Sequence, residues 1–193
     1  MINKRLLIKN LLSHNDENSF YDKKQKISFN SKEGKAKFLK HVCALSNANP
    51  NNNSYIVIGV EDEANKIVGI DFFDDSKIQN LVNAYLKNPP KITYENVLFP
   101  RLPRNKVIGL VTIHSNNNVT SLSKNAWKYK KDSIFYRRGS NSMPFLGDEF
   151  ELRNTNKEIV NSIEKSARNN IQLTLDGVFN FMNTHKKIYN PQY

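Results

Sequence analysis

The sequence predicts a mixed α/β fold of the α+β type, a mixed sheet with flanking helices, and three observations predict it. The run Ser54 to Val60, SYIVIGV, is continuously apolar and too short for a helix, so it reads as a strand buried on both faces. Two other stretches, one with Phe38, Leu39, Val42 and Leu45 and one with Ile78, Leu81, Val82 and Tyr85, repeat apolar residues at three- and four-residue spacing. The elements then run strand, helix, strand pair, helix, strands, terminal helices. A doubly wound parallel sheet would alternate regularly; this order does not.

The elements follow in chain order. Leu6 to Leu12 forms a short helix. Phe20 to Phe29, FYDKKQKISF, mixes aromatics, lysines and β-formers and predicts an exposed strand whose side chains alternate between faces. Ser31 is placed to cap a helix running to about Leu45. SNANPNNNS is a loop by its Asn and Pro content. After SYIVIGV the acidic run Glu61-Asp62-Glu63 turns the chain, and Ile67 to Ile70, IVGI, returns as a hairpin partner. A second amphipathic helix spans Asp75 to Lys87 and is stopped by Pro89-Pro90. ITYENVLF and KVIGLVTIH are two further strands. A basic, aromatic-rich loop leads to a strand at Ser133 to Arg137 and a Gly-Ser turn. Thr155 to His185 reads as helical, with Ile159, Val160 and Ile163 in one stripe and Val178, Phe179 and Met182 in a second, joined at Gly177. The expected organisation is one domain over residues 1–150 and a C-terminal helical extension over residues 151–193, packing on that domain or on a partner subunit.

The 193 residues are enough for a real core, and no stretch of about 18 apolar residues is present to span a membrane. No secretory signal is recognisable in MINKRLLIKNLLSHNDEN. The single cysteine, Cys43, excludes an intramolecular disulfide and a cysteine-based zinc site, and a cytoplasmic location is expected. The net charge of +11 is unevenly placed. Met1 to His41 holds ten Lys/Arg against four Asp/Glu, Thr120 to Arg138 holds six against one, and the remainder balances. Cation concentrated in this way suits a polyanion, because neutralised phosphates release condensed counterions. In the second stretch Trp127, Tyr129, Phe135 and Tyr136 are interleaved with Lys124, Lys128, Lys130, Lys131, Arg137 and Arg138. Lysines meet phosphates as point charges, arginines fork to them, and aromatics stack on unpaired bases. The bland alternative places Phe135 or Trp127 in the core and leaves only the cations outside. Arg137 and Arg138 alternate, so only one of them shares a face with Phe135.

Three pieces in order carry a resemblance: Gly59-Val60-Glu61-Asp62, Ile67-Val68-Gly69-Ile70 and, about seventy residues on, Tyr136-Arg137-Arg138-Gly139-Ser140. Together they resemble the Schlafen AlbA_2 family over roughly Glu17 to Ser142. The resemblance implies a nucleic-acid-binding fold related to the Alba domain. It also implies a catalytic site, since Schlafen-type members that cut tRNA and rRNA use three acidic residues with a divalent metal. By the family's pattern these acids would be Glu17, Asp22 and Asp62, holding Mg²⁺ or Mn²⁺, with Lys24 at the motif lysine. Two residues depart from that pattern: Asp22 stands for a Glu, and Lys23 for an aromatic. The Gly pair before the buried strand is replaced by Asn51-Asn52-Asn53, since Asn tolerates a left-handed turn.

The residues are compatible with that chemistry. Asp22 and Lys24 are two apart on a strand and share a face. Three carboxylates meeting at one corner repel each other unless a cation is present, and a lysine beside them stabilises developing negative charge. Against this stands the simpler reading of Asp62 as a solvated turn residue and of Glu17 and Asp22 as surface ion pairs. His14, His41, His114 and His185 share no metal-ligand spacing and read as surface or core residues. No Walker loop is present. The leading expectation is a metal-dependent endoribonuclease acting on structured RNA such as tRNA, with RNA preferred to DNA and a homodimer possible. The alternative is a non-catalytic DNA- or RNA-binding module with a regulatory or defence role.

Overall fold

The computed structural model describes residues 1–14, 18–61 and 65–168. In chain order the elements are α1 (Lys4–Ser13), β1 (Tyr21–Lys24), α2 (Lys32–Ala48), β2 (Ser54–Ile58), β3 (Ile70–Asp71), α3 (Ser76–Tyr85), β4 (Leu86–Lys87), β5 (Ile92–Val97), β6 (Lys106–Ile113), β7 (Ser121–Leu122), β8 (Phe135–Arg138), β9 (Asn141–Pro144) and α4 (Lys157–Ser166). The fold class is as expected: a mixed sheet flanked by helices. β1 runs parallel to β2, β2 antiparallel to β6, and β5 and β3 both pair antiparallel with β6. Among the described residues no helix is long and apolar enough to cross a membrane.

The strand period of two sorts the core into two halves. Ile56, Ile58, Val111, Ile113, Ile92 and Tyr94 face α2 and α3. Tyr55, Val57, Ile108 and Leu110 face the other way, onto Leu7, Ile8 and Leu11 of α1 and Val160 and Ile163 of α4. β2 is buried along its whole length, as its apolar run predicts. The α4 helix is tied down at its C-terminal end. Asn3 donates its backbone N–H to Ala167 O at 2.8 Å, and Glu164 accepts hydrogen bonds from the Tyr55 hydroxyl and from Asn53 Nδ2. Val160 and Ile163 are buried, whereas Ile159 of the expected stripe is exposed. The second stripe, at Val178, Phe179 and Met182, lies outside the described residues.

Four local expectations are corrected. The strand expected at Phe20 to Phe29 is only Tyr21–Lys24 and is buried, because parallel pairing with β2 puts Tyr21 in the α1-side core. IVGI does not make a full hairpin: Val60 and Ile67 form a single bridge, after which Ile70 and Asp71 pair with β6. The helix ending expected at Lys87 comes at Tyr85, and Leu86–Lys87 pairs with β7. None of Asn51 to Asn53 is left-handed. Asn49 and Asn52 are instead buried linkers. Asn49 donates to the carbonyls of Ser19 and Leu45, and Asn52 donates to Asn49 Oδ1 and the Asn53 carbonyl. Ser31 caps α2 as expected, its hydroxyl accepting from the Gly34 N–H at 3.0 Å.

Candidate nucleic-acid site

The α2 helix lies across the sheet face that carries Asp22. Tyr21 and Lys23 point to the α1 side, so alternation turns Asp22 and Lys24 toward α2. Asp22 is only 1 % exposed, although carboxylates are almost never buried without partners. Three cationic or potentially cationic groups surround it: Lys24 Nζ at 2.9 Å from Oδ2, His41 Nδ1 at 3.5 Å from Oδ2, and Arg137 Nη2 at 3.6 Å from Oδ1. Neither carboxylate oxygen receives a properly directed hydrogen bond among the described residues. Asp22 is therefore held by nearby charge and retains acceptor capacity.

Arg137 departs from the expected role of a surface phosphate contact. It shares a face with the buried Phe135, and its guanidinium is wholly enclosed. It donates to the Asn18 carbonyl at 2.8 Å and to Ser142 Oγ at 3.0 Å, pinning the segment before β1 to the β8–β9 hairpin. Arg138, on the other face, is exposed, as are Lys124, Lys128, Lys130 and Lys131. Of the aromatics between them, Phe135 is core and Trp127 is 45 % exposed. Glu17 and Asp62, expected to complete an acidic triad with Asp22, lie outside the described residues.

His41 is the site residue that sequence reasoning missed. It sits three residues after Phe38 and four before Leu45, on the buried stripe of α2, and that position is the signal that would have found it. Ser142 Oγ lies 3.0 Å from His41 Nδ1 while accepting from Arg137, so its own hydrogen is available to Nδ1. Burial lowers the His41 pKa to about 4; the Asp22 charge works against this, and Lys24, Lys40 and Arg137 reinforce it. The imidazole is neutral at pH 7.

A cavity of about 390 Å³ opens beside these groups, with Asp22, His41 and Ile56 toward the sheet and Lys24, Lys26 and Lys37 among its walls. Its outer wall is the chain from Lys26 to Ser31. Gly34 lets that loop close onto α2, because a Cβ there would stand 1.9 Å from the Ser28 carbonyl oxygen. Lys40, also on α2, is held below the usual lysine range, first by burial and then by repulsion from Lys128, Lys24 and Lys37. Among the described residues, Glu33 pairs with Lys37 at 2.6 Å and Asp22 with Lys24 at 2.9 Å. Among the described residues these ammonium groups outnumber the carboxylates beside the cavity, a setting suited to a phosphodiester.

A family model described as Schlafen, AlbA_2 matches residues 17–146. The chain belongs to the Schlafen AlbA_2 family. The described fold fits this assignment, and the family is one of nucleic-acid-related domains. A second model, described as a domain of unknown function (DUF5929), matches residues 158–193. Among curated proteins none matches. Eight solved chains match; one is the crystal structure of the DIP2311 protein from Corynebacterium diphtheriae, at 14 % identity and a TM-score of 0.48. That match covers 74 % of this chain and spans only 26 % of the other. The Schlafen AlbA_2 match takes in β1, β2 and β8, the three strands that supply Asp22, its neighbour Ile56 and Arg137.

Proposed function

We propose that the chain is a divalent-metal-dependent endoribonuclease acting on structured RNA such as tRNA, with its site at the Asp22 corner. The observation that carries this reading is Asp22 itself, a buried carboxylate with unused acceptor positions beside a lysine-walled cavity in a nucleic-acid-related family. Those orphaned oxygens fit a hard cation, and Glu17 and Asp62 would supply its remaining carboxylates. A bound Mg²⁺ or Mn²⁺ at such a site polarises a phosphodiester and generates a nucleophile. The residues of the chain do the rest. Lys24 exchanges its contact with Asp22 for the substrate phosphate, and Lys26 and Lys37 draw the backbone into the cavity. Arg137 fixes Asp22 by holding the preceding segment in place. Neutral His41 adds no positive charge that would compete for the carboxylate.

A second reading, a non-catalytic nucleic-acid-binding module, is favoured by one observation. Lys24 and Arg137 already balance the Asp22 charge without any metal, so Asp22 also suits a purely structural role. Incubation of tRNA with the protein and Mn²⁺, alongside Asp62→Ala, separates the two. Scission by the wild type and at least a hundredfold less by the variant is the expected result. Binding without scission, or equal scission by both proteins, removes the catalytic reading.

A further inference from the structure

The loop that carries four of the exposed lysines ends in a tip whose construction the fold does not require. Ala126 and Tyr129 exchange both backbone hydrogen bonds, each at 2.9 Å, leaving Trp127 and Lys128 as a two-residue tip. Trp127 has a φ of +53°, in the left-handed region that costs a bulky side chain free energy and where glycine is the default. Its ring does not repay that cost by packing. It remains 45 % exposed, touches the Tyr129 ring edge-on at a centroid distance of 6.1 Å, and carries Lys128 Nζ 4.5 Å from its centroid. Beneath it Tyr129 stacks edge-on to the core residue Phe135 at 5.0 Å, which makes the base of the tip rigid.

We propose that Trp127 is a stacking platform for an unpaired base of a single-stranded nucleic acid, at the head of a lysine path that runs past α2 to the Asp22 cavity. The partner is set by the chemistry of the tip. A large aromatic surface calls for a π-face, and Lys124, Lys128, Lys130 and Lys131 around it call for a polyanion. Asp132 is the single acid between Thr120 and Arg138. Only an unpaired base offers its face, so the tip discriminates single strands or loops from duplex. The path follows from placement: Lys128 stands over the Trp127 ring, α2 with Lys37 and Lys40 packs on β8 just after the tip, and Lys24 and Lys37 line the cavity. A strand whose base rests on Trp127 would lay its following phosphates across these ammoniums. This inference rests on the nucleic-acid reading above and names the form of nucleic acid it takes.

Trp127 is the only tryptophan, so its fluorescence reports on the tip alone. The expected result on titration with a twelve-nucleotide oligouridylate is saturable quenching that follows binding measured by anisotropy of a labelled oligonucleotide. Trp127→Ala should weaken single-strand binding between about fivefold and about 150-fold, while Trp127→Phe stays within a few-fold of the wild type. Affinity for a duplex of equal length should be unchanged in both variants. Binding of the oligonucleotide with no change in fluorescence overturns the proposal, and that result depends on no variant's folding. Equal losses for single strand and duplex in Trp127→Ala also overturn it, since they mark a structural role. Failure of the wild type to bind any nucleic acid would overturn the underlying reading as well, and so differs from failure of the stacking role alone.

Discussion

His41 shows how a single side chain reports on the charge of its surroundings. Buried against Asp22, Lys24, Lys40 and Arg137, it stays neutral in the fold down to a pH of about 4, whereas in the unfolded chain it protonates near 6.5. Between those values the unfolded state binds more protons, so stability from this group rises with pH across that window and falls as pH drops through it. The full span amounts to roughly 3 kcal/mol. Urea denaturation between pH 4 and pH 7 should show this slope in the wild type, and His41→Gln should flatten it. An unchanged slope in the variant would place the acid sensitivity elsewhere. The same corner explains which residue roles were legible from the chain alone. Asp22 and Lys24 follow from strand alternation and do share a face. Arg137 was assigned to the surface because a sequence of alternating Tyr, Arg and Arg does not say which arginine lies beneath the hairpin. The buried Phe135 two residues earlier decides it, and its burial is a property of the packed sheet.

At the scale of elements, the crossing of two glycines sets the exit of β2. Gly59 has a φ of +105°, and a Cβ there would come within 3.0 Å of Gly69 Cα and of Ile108 Cδ1. The Gly59 N–H donates to Lys24 O at 2.7 Å, while its carbonyl accepts from the N–H groups of Val68 and Gly69. One residue thus joins the end of β1, the end of β2 and the returning chain. This gives a physical reason for two glycines here: a side chain at Gly59 would meet the Gly69 backbone, and one at Gly69 would meet Leu102 and Lys106. Gly59→Ala should cost about 1–3 kcal/mol from backbone strain, before any clash, and lower the thermal midpoint accordingly. A midpoint matching the wild type would mean the crossing relaxes freely. Element types were largely readable from periodicity and capping, as Ser31 at the start of α2 and the buried β2 show. Boundaries and pairings were not. The Phe20 to Phe29 stretch has the composition of a long exposed strand, but the chain leaves the sheet after Lys24, where the Gly59 and Val60 N–H groups both close onto Lys24 O. That turn is a long-range event invisible to any local window. By composition SNANPNNNS reads as a loop, yet α2 continues through Ala48 and Asn47 spans to the Thr120 and Phe135 carbonyls from inside the core.

Across the whole molecule, the helices divide the work. The α1 and α4 helices seal one face of the sheet, and α2 and α3 cover the other. Among the described residues, an opening, a buried acid and a gathering of lysines coincide beside α2. The two basic stretches seen in the sequence, separated by 78 residues of balanced charge, meet there because α2 packs on β8 and Lys128 comes near Lys40. A basic face was therefore foreseeable from charge placement; its focus on Asp22 was not, since it depends on how the hairpin after the Trp127 loop folds over the helix. On the proposed metal-dependent reading, the acceptor capacity left on Asp22 serves a divalent cation shared with Glu17 and Asp62. Titration of Mn²⁺ into the protein, followed by loss of the free-ion electron paramagnetic resonance signal, tests it most directly. About one tight site per chain is expected, weakened at least tenfold in both Asp22→Asn and Asp62→Ala. Equal Mn²⁺ binding by all three proteins, or none by the wild type, would contradict it.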